Sequence, residues 1–191
     1  MKNIEIEIQV KLQKTKPLID FLKENAKLTG TQRQIDKYFT PKHRNFLAKK
    51  KVNEWLRLRS SEKGDSINYK NWKYDETGRS HHCDEYETKI ENYKNLERIF
   101  EALEHKKICQ VDKTRIIYKY KKYEISIDKV KGLGDFVEIE FAGETDKKPK
   151  DVTSEMVDFL RTLNVGKIYR NFRGYAYMAA FPEKPIEWEE L

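Results

Sequence analysis

Residues 4–12 alternate without a break. Ile4, Ile6, Ile8, Val10 and Leu12 share one parity, and Glu5, Glu7, Gln9 and Lys11 share the other. A period of two belongs to a β-strand, because successive side chains leave opposite faces of the pleat. One face must meet a core. The other lines up two carboxylates, an amide and an ammonium. For a lone strand the ordinary reading is an antiparallel strand with one side in water. Recurrence of the same pattern downstream argues against that reading.

Residues 55–60 set Leu56 and Leu58 against Arg57 and Arg59, with Trp55 on the arginine side. A turn at Gly64-Asp65 leads into 67–74, where Ile67 and Tyr69 oppose Asn68, Lys70 and Trp72. In 84–90, Glu85, Glu87 and Lys89 oppose Tyr86, Thr88 and Ile90. Residues 108–119 place Lys113, Arg115 and Ile117 on one parity. In 123–130, Glu124, Ser126 and Asp128 oppose Tyr123, Ile125 and Ile127. Gly132 and Gly134 mark the next turn, and in 135–141 Glu138 and Glu140 oppose Val137, Ile139 and Phe141. A shorter strand at 34–39 stops at Pro41, which cannot donate to a ladder.

Between these strands the period changes to that of a helix. Residues 15–27 carry Pro17 in a first turn and an apolar stripe of Leu18, Ile19, Phe21, Leu22 and Ala26, with Gly30 closing the region. Leu96, Ile99, Phe100 and Leu103 predict a second helix over 93–106, capped by Asn92 or Asn95. Met156, Val157, Leu160 and Leu163 predict a third over 153–163. Residues 41–53, with Lys49-Lys50-Lys51, read as an exposed basic loop. Residues 167–181 are aromatic-rich and suit a last strand or short helix. The expected organisation is one domain over 1–181 and a frayed acidic tail over 182–191.

Composition bounds the class. With 191 residues, 37% of them charged, the chain is polar, yet 12% aromatics argue against disorder. A net charge of +7 suits an anionic partner as well as solubility. Cys83 and Cys109 have no metal-ligand spacing and read as packing thiols of a reduced, cytoplasmic protein. No leader and no apolar run of membrane-spanning length is expected. His43, His81, His82 and His105 lack ligand spacing, and His81-His82 reads as a solvated loop.

The charged face is almost wholly ionisable, and its strands are each biased in sign. Three carry Glu-x-Glu, at Glu5/Glu7, Glu85/Glu87 and Glu138/Glu140, and two carry a basic pair, at Arg57/Arg59 and Lys113/Arg115. Closing such strands into a barrel removes the sheet edges and turns one face into an interior. The expected fold is therefore α+β: a closed eight-stranded antiparallel β-barrel, a tunnel with a charged lumen and helices packed outside. Charges in a lumen must be hydrated or engaged by a matching ligand. Clustered carboxylates suit Mg²⁺ or Mn²⁺, and arginines and lysines suit phosphate oxygens. Both together suit a metal-chelated polyphosphate.

These motifs, in this order, resemble the CYTH superfamily of triphosphate tunnel metalloenzymes, which includes class IV adenylate cyclases, thiamine triphosphatases and inorganic triphosphatases. Its E-x-E-x-K signature is similar to Glu5-Ile6-Glu7-Ile8-Gln9, its R-x-R to Arg57-Leu58-Arg59, and its K-x-R to Lys113-Thr114-Arg115. Residues 127–140, IDKVKGLGDFVEIE, look like the class IV cyclase branch. The resemblance runs from Ile4 to about Glu140 and more weakly into the tail. It implies that Glu5, Glu7, Glu138 and Glu140 hold the metal. It implies phosphate contacts from Arg57, Arg59, Lys70, Lys113, Arg115 and Lys167. Catalytic candidates are Glu5, Glu7, Lys11, Glu85, Glu87 and Asp128. One position departs: Gln9 stands at the signature lysine, with Lys11 two residues further on at the same parity.

Two chemistries suit such a tunnel. In the cyclase reading, ATP yields cyclic AMP and pyrophosphate. In the triphosphatase reading, water attacks the γ-phosphorus of thiamine triphosphate, a nucleotide or tripolyphosphate. A non-catalytic module that binds nucleotide, polyphosphate or a 5′-triphosphorylated RNA end is the third. Nucleic acid is not the expected partner, because no interleaved aromatic platform is present. Trp55 and Trp72 either flank a base at the tunnel mouth or pack under a loop. Apolar outer surface would suit a homodimer.

Overall fold

The computed structural model describes residues 4–191. The first strand, β1 (Ile4–Leu12), is followed by helix α1 (Lys16–Asn25) and a long strand β2 (Lys27–Pro41). Three strands come next: β3 (Glu54–Ser61), β4 (Asp65–Tyr74) and β5 (Ser80–Ile90). After α2 (Tyr93–Ala102) come β6 (His105–Tyr120), β7 (Tyr123–Val130) and β8 (Gly134–Phe141). The chain ends with α3 (Pro149–Arg161), β9 (Ile168–Arg170), α4 (Gly174–Ala180) and β10 (Glu189–Glu190).

Neighbouring strands pair antiparallel in the order β1-β5-β4-β3-β2-β6-β7-β8, and β8 pairs back with β1. Closure is direct: Glu7 faces Glu140 and Gln9 faces Glu138 across that last seam. The eight strands form a closed antiparallel barrel, with four α-helices around it among the described residues. No helix among them is long and apolar enough to cross a membrane.

The barrel is inside out relative to a packed small barrel. Ile6, Ile8 and Val10 of β1 point outward with Ile125, Val137 and Ile139, and these are covered by Leu18 and Leu22 of α1 and Met156 and Leu160 of α3. Ile8, Ile125, Ile139 and Met156 have no solvent exposure. Each such burial contributes about 1.5–3 kcal/mol. A smaller cluster of Phe39, Leu58 and Phe100 seats α2 on the opposite side.

At one end the lumen parity itself turns apolar. Tyr38, Trp55, Val111, Val130 and Phe136 continue the inward rows, and Tyr175, Ala176 and Met178 of α4 pack into them. The fourth helix therefore plugs that end.

Several boundaries differ from expectation. Gly30 does not end the first helical region but lies inside β2, at a register shift between Leu28 and Gly30. That strand runs the length of β6, so tertiary pairing extends it well beyond its central alternation. His81 and His82 are in β5, where His81 Nδ1 lies 2.8 Å from the Thr153 hydroxyl. α2 stops at Ala102, and Glu104, at φ 58°, turns the chain into β6. The third helix begins four residues early, at Pro149, in the first-turn position that proline favours. The end of the chain is docked: Glu189 pairs with Arg170, Arg79 holds the Glu189 carboxylate, and Trp188 packs on Phe136.

Candidate active site in the barrel lumen

Around the barrel the lumen side chains divide by sign. β5, β1, β8 and β7 direct Glu85, Glu87, Glu5, Glu7, Glu138, Glu140 and Glu124 into one cavity of about 280 Å³. The facing arc, β3-β2-β6, brings Arg57 and Arg59, then Gln32 and Gln34, then Lys113 and Arg115. Lys70 on β4 stands at the seam between the arcs. With Arg173 counted, seven acids face six bases, so a bare cation or a bare anion would match only half of the wall.

On the acid arc one ammonium serves three carboxylates. Lys70 donates to Glu5 and lies 3.7 Å from Glu7 and 3.6 Å from Glu85. Burial would lower the Lys70 pKa, but those three acids hold it well above the usual lysine range. Burial pushes the Glu5 carboxyl up, with Lys70 opposing and Glu85 and Glu140 adding. Burial and the charge of Glu5 raise Glu7 well above the ordinary range, and Glu7 Oε2 has no hydrogen-bond partner. Burial and the charge of Glu7 raise Glu140 to about 8. Carboxylates this poorly compensated and this deeply buried fit a hard divalent cation, which takes oxygen donors. Among the described residues they do not form a ready three-donor cluster, and Lys70 keeps Glu5 in an ion pair.

The basic arc is braced from behind. Asp128, with no exposure, accepts from Arg115 Nε at 2.7 Å and Nη2 at 2.6 Å, and from the Tyr175 hydroxyl at 2.8 Å. Glu138 accepts from the same Nη2 at 2.8 Å. Burial would raise Glu138, but Arg115 and Lys113 outweigh it and hold its carboxyl below the usual range. Asp36, 1% exposed, braces Arg59 in the same bidentate way at 2.7 and 2.8 Å. Burial and the neighbouring Arg115 lower the Lys113 ammonium to about 8. Arg57 Nε is buried without a partner, and Gln32 and Gln34 carry unpartnered carbonyl oxygens. Buried polar atoms are nearly always satisfied, so these groups are open to a ligand or to ordered water in the cavity.

The lumen brings together Glu5, Glu7, Arg57, Arg59, Lys70, Glu85, Glu87, Lys113, Arg115, Glu138 and Glu140. Asp128 stands one layer back, a brace for Arg115 with no face on the cavity. Lys11 has lumen parity but lies beyond the plug, stacked on Phe136 and Trp188 and bonded to the Leu133 carbonyl. Lys167 is on the outside, where it pairs with Glu190 at 2.8 Å. Trp55 and Trp72 do border the cavity, at its plugged end. Cys83, a packing thiol by sequence, is buried on the acid arc and donates to Glu5 at 3.2 Å. Asp36, Gln32, Gln34 and Arg173 were not among the sequence candidates. The first three share the Tyr38 parity on β2, and that shared parity was the available signal.

Comparison with known proteins agrees with this geometry. The CYTH domain family model matches residues 2–175. The chain belongs to the CYTH family. A putative adenylate cyclase of Methanocaldococcus jannaschii is 33% identical over 165 residues, spanning 86% of this chain and 91% of that one. A solved protein of Pyrococcus horikoshii shares the fold at a TM-score of 0.68 and 24% identity, covering 85% of this chain and 92% of its own. A Hippeastrum protein, described as a putative adenylyl cyclase with a dominant triphosphatase activity, shares it at 0.61 and 21%, covering 84% of this chain and 88% of its own. In this CYTH chain the amide of Gln9 lies 3.4 Å from Glu138.

Proposed function

We propose that the protein is a divalent-metal-dependent enzyme that breaks a phosphoanhydride bond of a triphosphate held in the lumen, with ATP cyclisation as the first reading. The carrying observation is the division of one cavity into an under-compensated acid arc and a braced basic arc. The adenylate cyclase name of the relative at 33% identity supports the choice of reaction.

Glu5, Glu7 and Glu140 would hold Mg²⁺ or Mn²⁺, and Glu138 stays with Arg115 as part of the phosphate clamp. A divalent cation held by these three carboxylates would supply charge neutralisation and Lewis-acid polarisation of a phosphorus–oxygen bond. Arg57, Arg59, Lys113 and Arg115 bind phosphate oxygens, two at a time where the guanidinium fork allows. Asp36 and Asp128 position two of those forks. Lys70, once released from Glu5, becomes a further phosphate donor. In cyclisation the ribose 3′-oxygen attacks the α-phosphorus, its proton passes to Glu85 or Glu87, and the bond to the bridging oxygen breaks. Pyrophosphate leaves on the basic arc.

Hydrolysis of the terminal phosphoanhydride is the second reading. The unpartnered Glu7 Oε2 is an acceptor suited to orienting water, and the activity described for the Hippeastrum protein supports it. Incubation with ATP and Mn²⁺ or Mg²⁺, followed by separation of products, decides. Cyclic AMP with pyrophosphate supports the first reading, and ADP with phosphate the second. Tight triphosphate binding without turnover under either metal overturns both.

A further inference from the structure

Beyond the plugged end lies a groove of about 640 Å³, and a small cavity of about 50 Å³ separates it from the lumen. Arg173 borders all three spaces. It sits in a turn that the fold holds tightly: the Asn171 side chain accepts from the Arg173 and Gly174 amides at 2.9 and 3.2 Å. Phe172 next to it adopts φ +52°, a conformation large side chains rarely take, with Arg170 over its ring at 4.2 Å.

Five bases and two acids line the groove. Arg79 is neutralised by Glu189, and Arg170 is spent on the Ser80 and Glu7 carbonyls. Lys51, Arg173 and Lys184 have no carboxylate partner among the described residues. Each lies instead over an aromatic ring: Lys51 over Tyr74 at 5.5 Å, Arg173 over Tyr177 at 5.3 Å and Lys184 over Phe181 at 4.0 Å. Three unpaired cations held around one concave surface, one of them shared with the lumen, form an anion site rather than a scatter of surface charge.

We propose that this groove is a second binding site, for a condensed phosphate anion of the pyrophosphate class, joined to the lumen through Arg173. The choice of ligand rests on the cyclisation reading of the triphosphate site, which releases pyrophosphate on the lumen side of Arg173. The charge of the groove does not depend on that reading.

Calorimetric titration of pyrophosphate into the metal-free protein tests it. Wild type should show two sites. The double variant Lys51→Gln/Lys184→Gln should melt like wild type, keep the lumen site and weaken the groove site about tenfold or more, as expected for losing charged hydrogen-bond donors. Arg115→Ala should weaken only the lumen site. A single site abolished by Arg115→Ala, or two sites that the double variant leaves unchanged, overturns the proposal. A groove site present without a lumen site would sink the triphosphate reading and leave the groove standing.

Discussion

Asp128 grips Arg115 by two hydrogen bonds, at 2.7 and 2.6 Å, from a position with no exposure to solvent. The guanidinium plane is thereby fixed toward the lumen before any substrate arrives. Asp128→Asn keeps the shape and removes the charge. Breaking a buried pair in this way costs about 3–5 kcal/mol of stability. The KM for a triphosphate should rise about tenfold or more, with kcat less affected. A variant that lowers kcat at unchanged KM would show that Asp128 acts otherwise than as a brace.

Glu7 carries an unpartnered buried oxygen and a raised pKa from burial and Glu5. Glu7→Gln removes a charge that the metal-free fold accommodates poorly, so the variant should melt above wild type without metal. Mn²⁺ should raise the wild-type melting temperature by ligand linkage and leave the variant unmoved. Equal Mn²⁺ responses in both proteins would remove Glu7 from the metal set.

Glu140 gives the protein a defined pH response. Its carboxyl is raised from 4.5 to about 8, so the protonated form belongs to the folded state. The stability it contributes is full below pH 4.5 and is lost as pH rises toward 8. Lys113, lowered from 10.5 to about 8, changes its contribution only above that window. His81 and His82 are lowered, chiefly by burial, and act in the opposite sense at its acid end. Glu5 and Glu7 are also raised, chiefly by burial, and act in the same sense as Glu140, so the Glu140 effect is read as a difference. Glu140→Gln should flatten the decline in metal-free stability between pH 5 and 8, and an unchanged slope would refute the assignment.

Gln9 faces Glu138 across the closing seam, with its amide 3.4 Å from that carboxylate. Gln9→Lys places a cation at the lumen wall. The KM for a triphosphate should fall about tenfold, the size of one charge-assisted contact. A rise in KM would mean that the new lysine draws Glu138 away from Arg115.

Much of the lumen was legible because a strand's period of two sorts side chains without knowledge of their partners. Glu5 and Glu7, Arg57 and Arg59, and Glu138 and Glu140 were each found by parity alone. The closing of the barrel followed from the repetition of that pattern. Lys11 shows the limit of the method. Its parity is correct, but α4 and Phe136 fill the barrel between it and the cavity, and a plug of that kind leaves no periodic trace. Asp36 is a different case. Its parity places it on the lumen side of β2, but its role as a brace appears only when β2 and β3 pair Asp36 with Arg59. The placement of Lys167 and of the acidic end depends on two- and three-residue strands created by long-range pairing, which leave no periodic signal.

The central claim is that the acid arc takes a metal and the basic arc takes phosphate within one lumen. It is tested most directly by calorimetry of a non-hydrolysable ATP analogue at fixed free Mn²⁺, with and without the metal. The account predicts that Mn²⁺ tightens analogue binding and the analogue tightens Mn²⁺ binding by the same factor, as thermodynamic linkage requires. It predicts that Glu7→Gln abolishes this coupling while keeping metal-free binding, and that Arg115→Ala weakens metal-free binding itself. Analogue affinity that is independent of Mn²⁺ in wild type would contradict it.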